Sequence, residues 1–506
     1  MRRCKNLIKI GLQSFRKTPE LGQVKHARAH HDDSQDDAFR TQHASSPAHP
    51  HQPSTDKKII MALNASASAT RALRRSVLLC PQAPAAVLAR ARGQERREVR
   101  GLAVRSGPTA QSMRAKVQGS GRVVIKVGTA VVANGGTGQL AVSRLGGLVE
   151  QIKMLAKDQQ KQVLLVSSGA VGLGRGVFGM TPEDTLDTPG GILNRQACAA
   201  SGQALLMGSY TSMMNALGLQ CAQVLITQHD FICPQRYGRL TSTLEALAKR
   251  GIIPIINEND VVTGGTELES QQGAFSDNDM LSALVAAGVR ADAVAMMTDV
   301  DAVFDKPPTE KGAKRIAVFD KKQQVTIGAK SAGGRGGMES KIHAAQTAAA
   351  GGVHAVVANG HDLDNISRIF AGSDVGTLFP GNKRRPSKLQ HWLAHAAKTS
   401  NLKGRVAVSK AVAERFAHKG EAPDSPSHHL TMADVLAIHG NFGANSAVEI
   451  TDDEGAPVGR GLVQLPSATL RQRANAHGPS SESVMGPADM VWALREFEAA
   501  RTSLSK

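Results

Sequence analysis

Five cysteines in 506 residues (Cys4, Cys80, Cys198, Cys221 and Cys233) include no CxxC pair, and their spacing suits neither a disulfide framework nor a zinc site. A reducing compartment is the simpler setting for such a chain. Long apolar runs are missing too. Nothing approaches the ~20 residues that a bilayer span needs, so a soluble protein with no membrane partner is expected. The GxxxxGK[ST] phosphate loop is absent, as are the HRD and DFG elements of protein kinases. Residues 61–94 contain no Asp or Glu but carry Arg71, Arg74, Arg75, Arg90 and Arg92 among many Ala and Ser.

That local absence explains the charge of the whole. Residues 1–120 hold 22 Lys and Arg against 8 Asp and Glu, while the remainder holds 39 against 35. A chain of net charge +18 would ordinarily suggest nucleic acid or a membrane surface as partner. Here the excess belongs to the N-terminal segment, and the folded part is near neutral. Residues 26–56 mix His, Asp, Ser and Pro without apolar periodicity, as a disordered segment does. An acid-poor, Arg- and Ser-containing segment of this kind reads as an organelle transit peptide. Residues 1–118 are therefore expected to be a disordered leader. The Ala- and Ser-rich character favours the plastid stroma, with mitochondrion or cytoplasm as alternatives; translation starting at Met61 is also open.

From residue 122 the pattern changes to apolar strands alternating with amphipathic helices. Strands are expected at 123–127, 162–166, 220–227, 252–256, 293–297 and 355–358. Helices are expected at 143–156, 193–217, 238–250, 278–287 and 338–350. Such alternation predicts an α/β domain over 119–382, a mostly parallel sheet sandwiched by helices. The stretch Lys383-Arg-Arg-Pro-Ser-Lys388 marks a boundary. Beyond it, residues 387–475 place short strands (405–408, 447–450, 457–461) among Gly, Asn, Asp and Pro turns, which predicts a small β-rich domain. Residues 476–506 would form a tail with a short helix over 490–500.

In parallel α/β sheets ligands bind beyond the carboxyl ends of the strands, so the polar clusters there carry the chemistry. Lys126 sits near the end of an otherwise apolar strand, where a lysine needs a negative partner unless it lies at a sheet edge. Gly128 beside it would let a phosphate approach the backbone. Val166-Ser-Ser-Gly-Ala170 runs from a strand into small residues, either an anion-binding nest or simply an N-cap. Asn257-Glu-Asn-Asp260 ends one strand and Ser276-Asp-Asn-Asp279 opens the next helix. Together these carboxylates and amides exceed capping needs, and such groups hold an ammonium and orient cationic side chains. Thr298 and Asp299 end another strand. Gly333-Gly-Arg-Gly-Gly-Met-Glu-Ser-Lys341 puts four glycines in five positions before a helix, with a lysine one turn inside it. That arrangement suits covering a nucleotide phosphate. The run Gly172-Leu-Gly-Arg-Gly176 lacks dinucleotide-fingerprint spacing and carries no weight as a cofactor loop.

On these residues the sequence resembles the amino acid kinase family, specifically its glutamate 5-kinase branch. Carrying the resemblance over 120–382 are Ile125-Lys-Val-Gly-Thr, Ser168-Gly-Ala, Ile256-Asn-Glu-Asn-Asp-Val, Ser276-Asp-Asn-Asp with Leu281-Ser-Ala, Thr298-Asp, and Gly336-Gly-Met-Glu-Ser-Lys. The downstream part, through His439-Gly-Asn-Phe and Gly459-Arg-Gly-Leu-Val, resembles a PUA fold. The resemblance implies ATP-dependent phosphorylation of the γ-carboxylate of L-glutamate, the first step of proline synthesis. It assigns Lys126, Asp279 and Lys341 to catalysis, with Asp279 orienting the two lysines. Ser168, Asp260 and Asn278 would bind glutamate. Lys126, Thr298, Asp299, Arg335, Gly336, Gly337, Met338, Glu339, Ser340 and Lys341 would bind ATP; Mg²⁺ is implied without a named protein ligand. Proline as a feedback inhibitor and a homo-oligomer are further implications. Arg335 departs from the Thr or Ser common at that place and is expected to point away from the phosphates. The small domain carries an insertion-like His- and Pro-rich stretch (421–429) and little net charge, so RNA binding by it is not favoured. Alternatives are a kinase of the same fold acting on aspartate, acetylglutamate, carbamate or a nucleotide, and an RNA-binding protein with an inactive kinase domain. After residue 382 only about 125 residues follow, too few for an appended dehydrogenase domain.

Overall fold

The computed structural model describes residues 109–135, 137–180, 189–263, 275, 277–320, 325–326, 337–397, 402–417, 429–477 and 480–492. The expected leader lies outside them except for its last residues. Seven strands form the main sheet: β1 (Arg122–Val127), β2 (Gln162–Ser167), β3 (Gln220–Ile226), β4 (Ile252–Glu258), β5 (Ala293–Thr298), β6 (His354–Asn359) and β7 (Thr377–Phe379). Their order is β3-β4-β2-β1-β5-β6-β7. All neighbours are parallel except β6 and β7. The chain builds to one side of β1 with β2, β3 and β4, then crosses to its other side with β5. The switch in strand order therefore falls at β1, the strand carrying Lys126, where an open α/β sheet leaves a crevice.

Alternation along the strands sorts side chains to two apolar layers. Val123, Ile125 and Val127 face helices Val142–Lys153 and Pro189–Ala216. Val124 faces the opposite layer, which contains helices Asn278–Gly288 and Met338–Ala350. Lys126 follows Val124 by two residues and so points to that same layer. The glycine run at 172–176 forms part of helix Ala170–Val177. There Gly174 meets the long helix so closely that a Cβ would lie 1.9 Å from the Cys198 carbonyl oxygen. This glycine serves helix packing.

Three expectations about boundaries need correction. The folded unit starts before residue 119, with helix Ala110–Gln118. Its Arg114 is 4% exposed and donates to the carbonyls of Ser373, Val375, Ala317 and Gly376 at 2.8–3.3 Å. An ion pair to Asp374 at 2.8 Å completes the latch. Burial lowers the guanidinium pKa, and Asp374 opposes that shift. A nine-residue helix at the end of a basic leader gave no strong periodic signal. Second, β6 is not the last strand of the sheet, because three-residue β7 pairs antiparallel beside it. Third, the chain after 382 does not pass directly into the small domain. Helical segments Lys388–His391 and Trp392–Ala396 pack into the main core, where the Trp392 indole donates to the Phe231 carbonyl.

The small domain contains β8 (Arg405–Val408), β9 (Leu430–Thr431), β10 (Val435–His439), β11 (Ser446–Thr451), β12 (Pro457–Val463), β13 (Ser483–Met485) and β14 (Met490–Trp492). Five of these form a sheet in the order β10-β8-β11-β12-β14, and β13 pairs β9. Met490–Trp492 is thus a strand pairing with β12, not the start of a helix; β-branched and aromatic residues over 490–492 suit that pairing. The expected tail belongs to the domain, whose core includes Val406, Val448, Ile450, Val463 and Met485. Among the described residues no helix is long and apolar enough to cross a membrane.

Candidate active site

At the carboxyl end of β1, Lys126 Nζ lies 2.7 Å from Asp279 Oδ1, and Lys341 Nζ lies 3.1 Å from Asp279 Oδ2. Two strand-to-helix junctions bring the three together. Asp279 occupies the first turn of helix Asn278–Gly288, which Asp277 caps by accepting from the Met280 N–H at 2.9 Å. Lys341 occupies the first turn of helix Met338–Ala350. The side chains of Lys126, Asp279 and Lys341 are 7%, 5% and 12% exposed. Burial by itself would raise the Asp279 pKa; the two ammonium groups overcome it and hold the carboxyl below its usual range. Asp277 moves the other way, raised by burial and by the neighbouring Asp279 charge. Two cations on one anion leave a surplus positive charge, with the remaining N–H donors able to turn toward a polyanion.

Beside this ion triad runs a row of neutral groups. The Asn278 amide donates to Ser168 Oγ at 2.7 Å and to Asn257 Oδ1 at 3.0 Å. The Asn257 amide in turn donates to Gln203 Oε1 at 3.0 Å. Asn278 Oδ1 is buried without a hydrogen-bond partner. Ser168 directly follows β2, and Gly169 comes next with φ of 115°, a conformation that disfavours side chains. A Cβ on Gly169 would also lie 2.9 Å from a Val132 methyl. This turn carries the chain from Ser168 into helix Ala170–Val177.

The structure thus gathers five of the expected site residues into contact: Lys126, Asp279 and Lys341 in one group, Ser168 and Asn278 in the other. Asp260 lies beyond the end of β4 and pairs with Arg195 at 3.6 Å. Thr298 ends β5 and donates to Asp299 Oδ1 at 2.8 Å. It stands two residues past Met296, the register partner of Lys126. Gly337 precedes helix Met338–Ala350 and its carbonyl accepts from the Ser340 hydroxyl at 2.9 Å. Met338 packs against the core and Glu339 is exposed. Arg335, Gly336 and Ser276 lie outside the described residues.

The helix expected at 193–217 was given no part in the site by sequence reasoning. Pro189–Ala216 contributes Arg195 to Asp260, Gln203 to Asn257, and Tyr210, whose hydroxyl lies 2.8 Å from Ser167 Oγ. Spacings of eight and seven residues put all three on one side of the helix. The detectable signal was a Gln and a Tyr on a side otherwise made of small and apolar residues. Tyr210 is fully buried, which raises its pKa and keeps the hydroxyl protonated.

The amino acid kinase family matches residues 121–359. A glutamate 5-kinase of Acaryochloris marina is 35% identical over 371 residues, covering 72% of this chain and 94% of that protein. One from Cyanothece is 35% identical, covering 72% and 95%. Another, from Bifidobacterium adolescentis, is also 35% identical and covers 72% and 91%. Coverage of nearly the whole of each relative, together with the triad and amide row, leads to one assignment: the chain belongs to the glutamate 5-kinase branch of the amino acid kinase family.

Proposed function

We propose that this protein transfers the γ-phosphoryl group of ATP to the side-chain carboxylate of L-glutamate, releasing ADP and γ-glutamyl phosphate. The observation that carries the reading is Asp279 held between Lys126 and Lys341 beside the Ser168–Asn278 pair. Phosphoryl transfer asks a protein chiefly for positioning and for charge stabilisation. The two lysines supply that charge, and Asp279 keeps them from drifting apart while the site is empty of phosphate. A carboxylate nucleophile is already ionised near neutral pH, so no general base is needed. Asn278 Oδ1 offers an acceptor for the α-ammonium, and Ser168 offers a hydroxyl for a carboxylate. Thr298, Asp299 and the segment 335–341 would line the nucleotide. Mg²⁺ would travel with the phosphates, held by their oxygens and by water. Among the described residues no three His, Cys, Asp or Glu side chains gather to hold a metal.

Membership of the branch supports a place at the first step of proline synthesis and inhibition by proline. The small β-rich domain reads as a PUA fold, with RNA binding by it not favoured. Among the described residues β3 lies at an edge of the sheet, which suits a homo-oligomer. An acid-poor leader supports the plastid stroma.

Purified protein given ATP, Mg²⁺ and glutamate with hydroxylamine should accumulate γ-glutamyl hydroxamate. Aspartate and acetylglutamate should give none. A folded protein that binds ATP yet yields no hydroxamate from any acid would overturn the reading.

A further inference from the structure

We propose that Gln203, on the helix that covers the sheet from the other side, is a positioning residue for the acid substrate. It acts through Asn257 and needs only its carbonyl oxygen to do so. The proposal deepens the glutamate kinase reading and rests on it.

The starting point is the direction of three hydrogen bonds. Gln203 Oε1 accepts from Asn257 Nδ2, and Asn257 Oδ1 accepts from Asn278 Nδ2. Asn278 Nδ2 spends its second proton on Ser168 Oγ. Both Asn278 amide protons are therefore committed, and its oxygen is left as a buried acceptor with no protein partner. Ser168, having accepted, keeps its own proton to give. The row presents an acceptor and a hydroxyl donor side by side, the pair that an α-ammonium and a carboxylate require.

Reversal of the Asn257 amide would set its NH₂ against the Asn278 NH₂. Asn278 would have to reverse as well, presenting N–H groups where the ammonium needs an acceptor. An acceptor at position 203 opposes that reversal, because a turned Asn257 would then face oxygen with oxygen. Gln203 and Asn257 are 8% and 2% exposed, so water cannot readily replace the lost bond. The Gln203 Nε2 atom is buried without a partner. Only the oxygen end is engaged, and a carboxyl group could therefore take its place.

Gln203 engages Asn257, in the row of neutral groups, so its effect should be confined to the acid. Gln203→Met keeps length and volume while removing the acceptor; Gln203→Glu keeps the acceptor. Three readouts are needed: KM for glutamate and for ATP, the ratio of kcat/KM for glutamate over glutarate, which lacks the ammonium, and the glutamate-induced thermal shift without ATP. For Gln203→Met the glutamate KM should rise tenfold or more, about 1.4 kcal/mol of lost binding. The ATP KM should stay within about twofold, and the preference over glutarate should fall by a similar tenfold. Gln203→Glu should stay within about threefold of the unmodified protein on every count. A wild-type glutamate KM in Gln203→Met, or equal impairment in both variants, overturns the proposal. Should Gln203→Met not fold, Gln203→Glu decides alone: near-normal glutamate binding supports the acceptor role, and a tenfold loss overturns it. If the unmodified protein makes no hydroxamate, the functional reading fails instead, while the thermal shift still reports whether Gln203 governs glutamate binding.

Discussion

The two halves of the site solve different problems with different chemistry. At the end proposed for the nucleotide, Lys126 and Lys341 share one carboxylate in a buried ion triad. At the end proposed for the acid, Ser168, Asn278, Asn257 and Gln203 form a row of neutral groups. Charge acts in all directions and strengthens where water is excluded, which suits charge that develops and moves during phosphoryl transfer. Amide and hydroxyl bonds are directional, and a ligand lacking one partner leaves a buried group unsatisfied, which suits discrimination. The triad should therefore govern turnover, and the row should govern choice of substrate.

Lys126→Ala or Lys341→Ala should break the comparison most severely. Each should lower kcat by about 10²–10³-fold, on the order of 3–4 kcal/mol, with glutamate KM changed little, as steady-state kinetics will register. Asp279→Asn comes next. It leaves two buried ammonium groups without their anion and should cost roughly 3 kcal/mol in turnover or stability, separable by pairing kinetics with a melting curve. The pH dependence of the triad follows from the depressed Asp279 pKa. The ion pairs are intact above the ordinary carboxylate range and are lost as pH falls through the lower folded value. Acid inactivation attributable to Asp279 should begin only below about pH 4.

Ser168→Ala and Asn278→Ala sharpen the comparison from the other end. Each should raise glutamate KM about 10–30-fold with ATP KM nearly unchanged; an equal rise in both would mean the row is not confined to the acid. The smallest effect on activity is expected at a site in neither half. His391 is fully buried, its Nε2 lying 3.2 Å from the Thr347 carbonyl, and burial lowers its pKa to about 4. Its folded pKa lies below the unfolded value of about 6.5, so stability is full above that value and declines as pH falls toward 4. His391→Gln retains an N–H donor without the titration. It should flatten the loss of melting temperature between pH 6.5 and 4, an effect of about 1–3 kcal/mol at the lower end.

Much of the sheet was legible because strands buried on both faces read as continuous Val and Ile runs, and because polar residues at their carboxyl ends interrupt those runs abruptly. Lys126 stood out for that reason, as did the Asn257–Asp260 and Asp277–Asp279 clusters. Gln203, Arg195 and Tyr210 did not. Within a 28-residue helix a few polar side chains resemble ordinary surface residues until the helix has a known orientation. Short strand β7 escaped because three residues carry no periodicity. Arg114 escaped because its partners are backbone carbonyls, to which any sequence contributes equally.

The Arg114 latch also sets an order in time. Its carbonyl partners at residues 373, 375 and 376 lie 259–262 residues farther along the chain. At about 5–20 residues per second, a ribosome takes roughly 13–52 s to make that interval. Helix Ala110–Gln118 is among the first folded segments to be synthesised, yet its anchoring arginine must wait for nearly the entire catalytic domain. Among the described residues, the first helix to leave the ribosome is fastened only once residue 376 has been made.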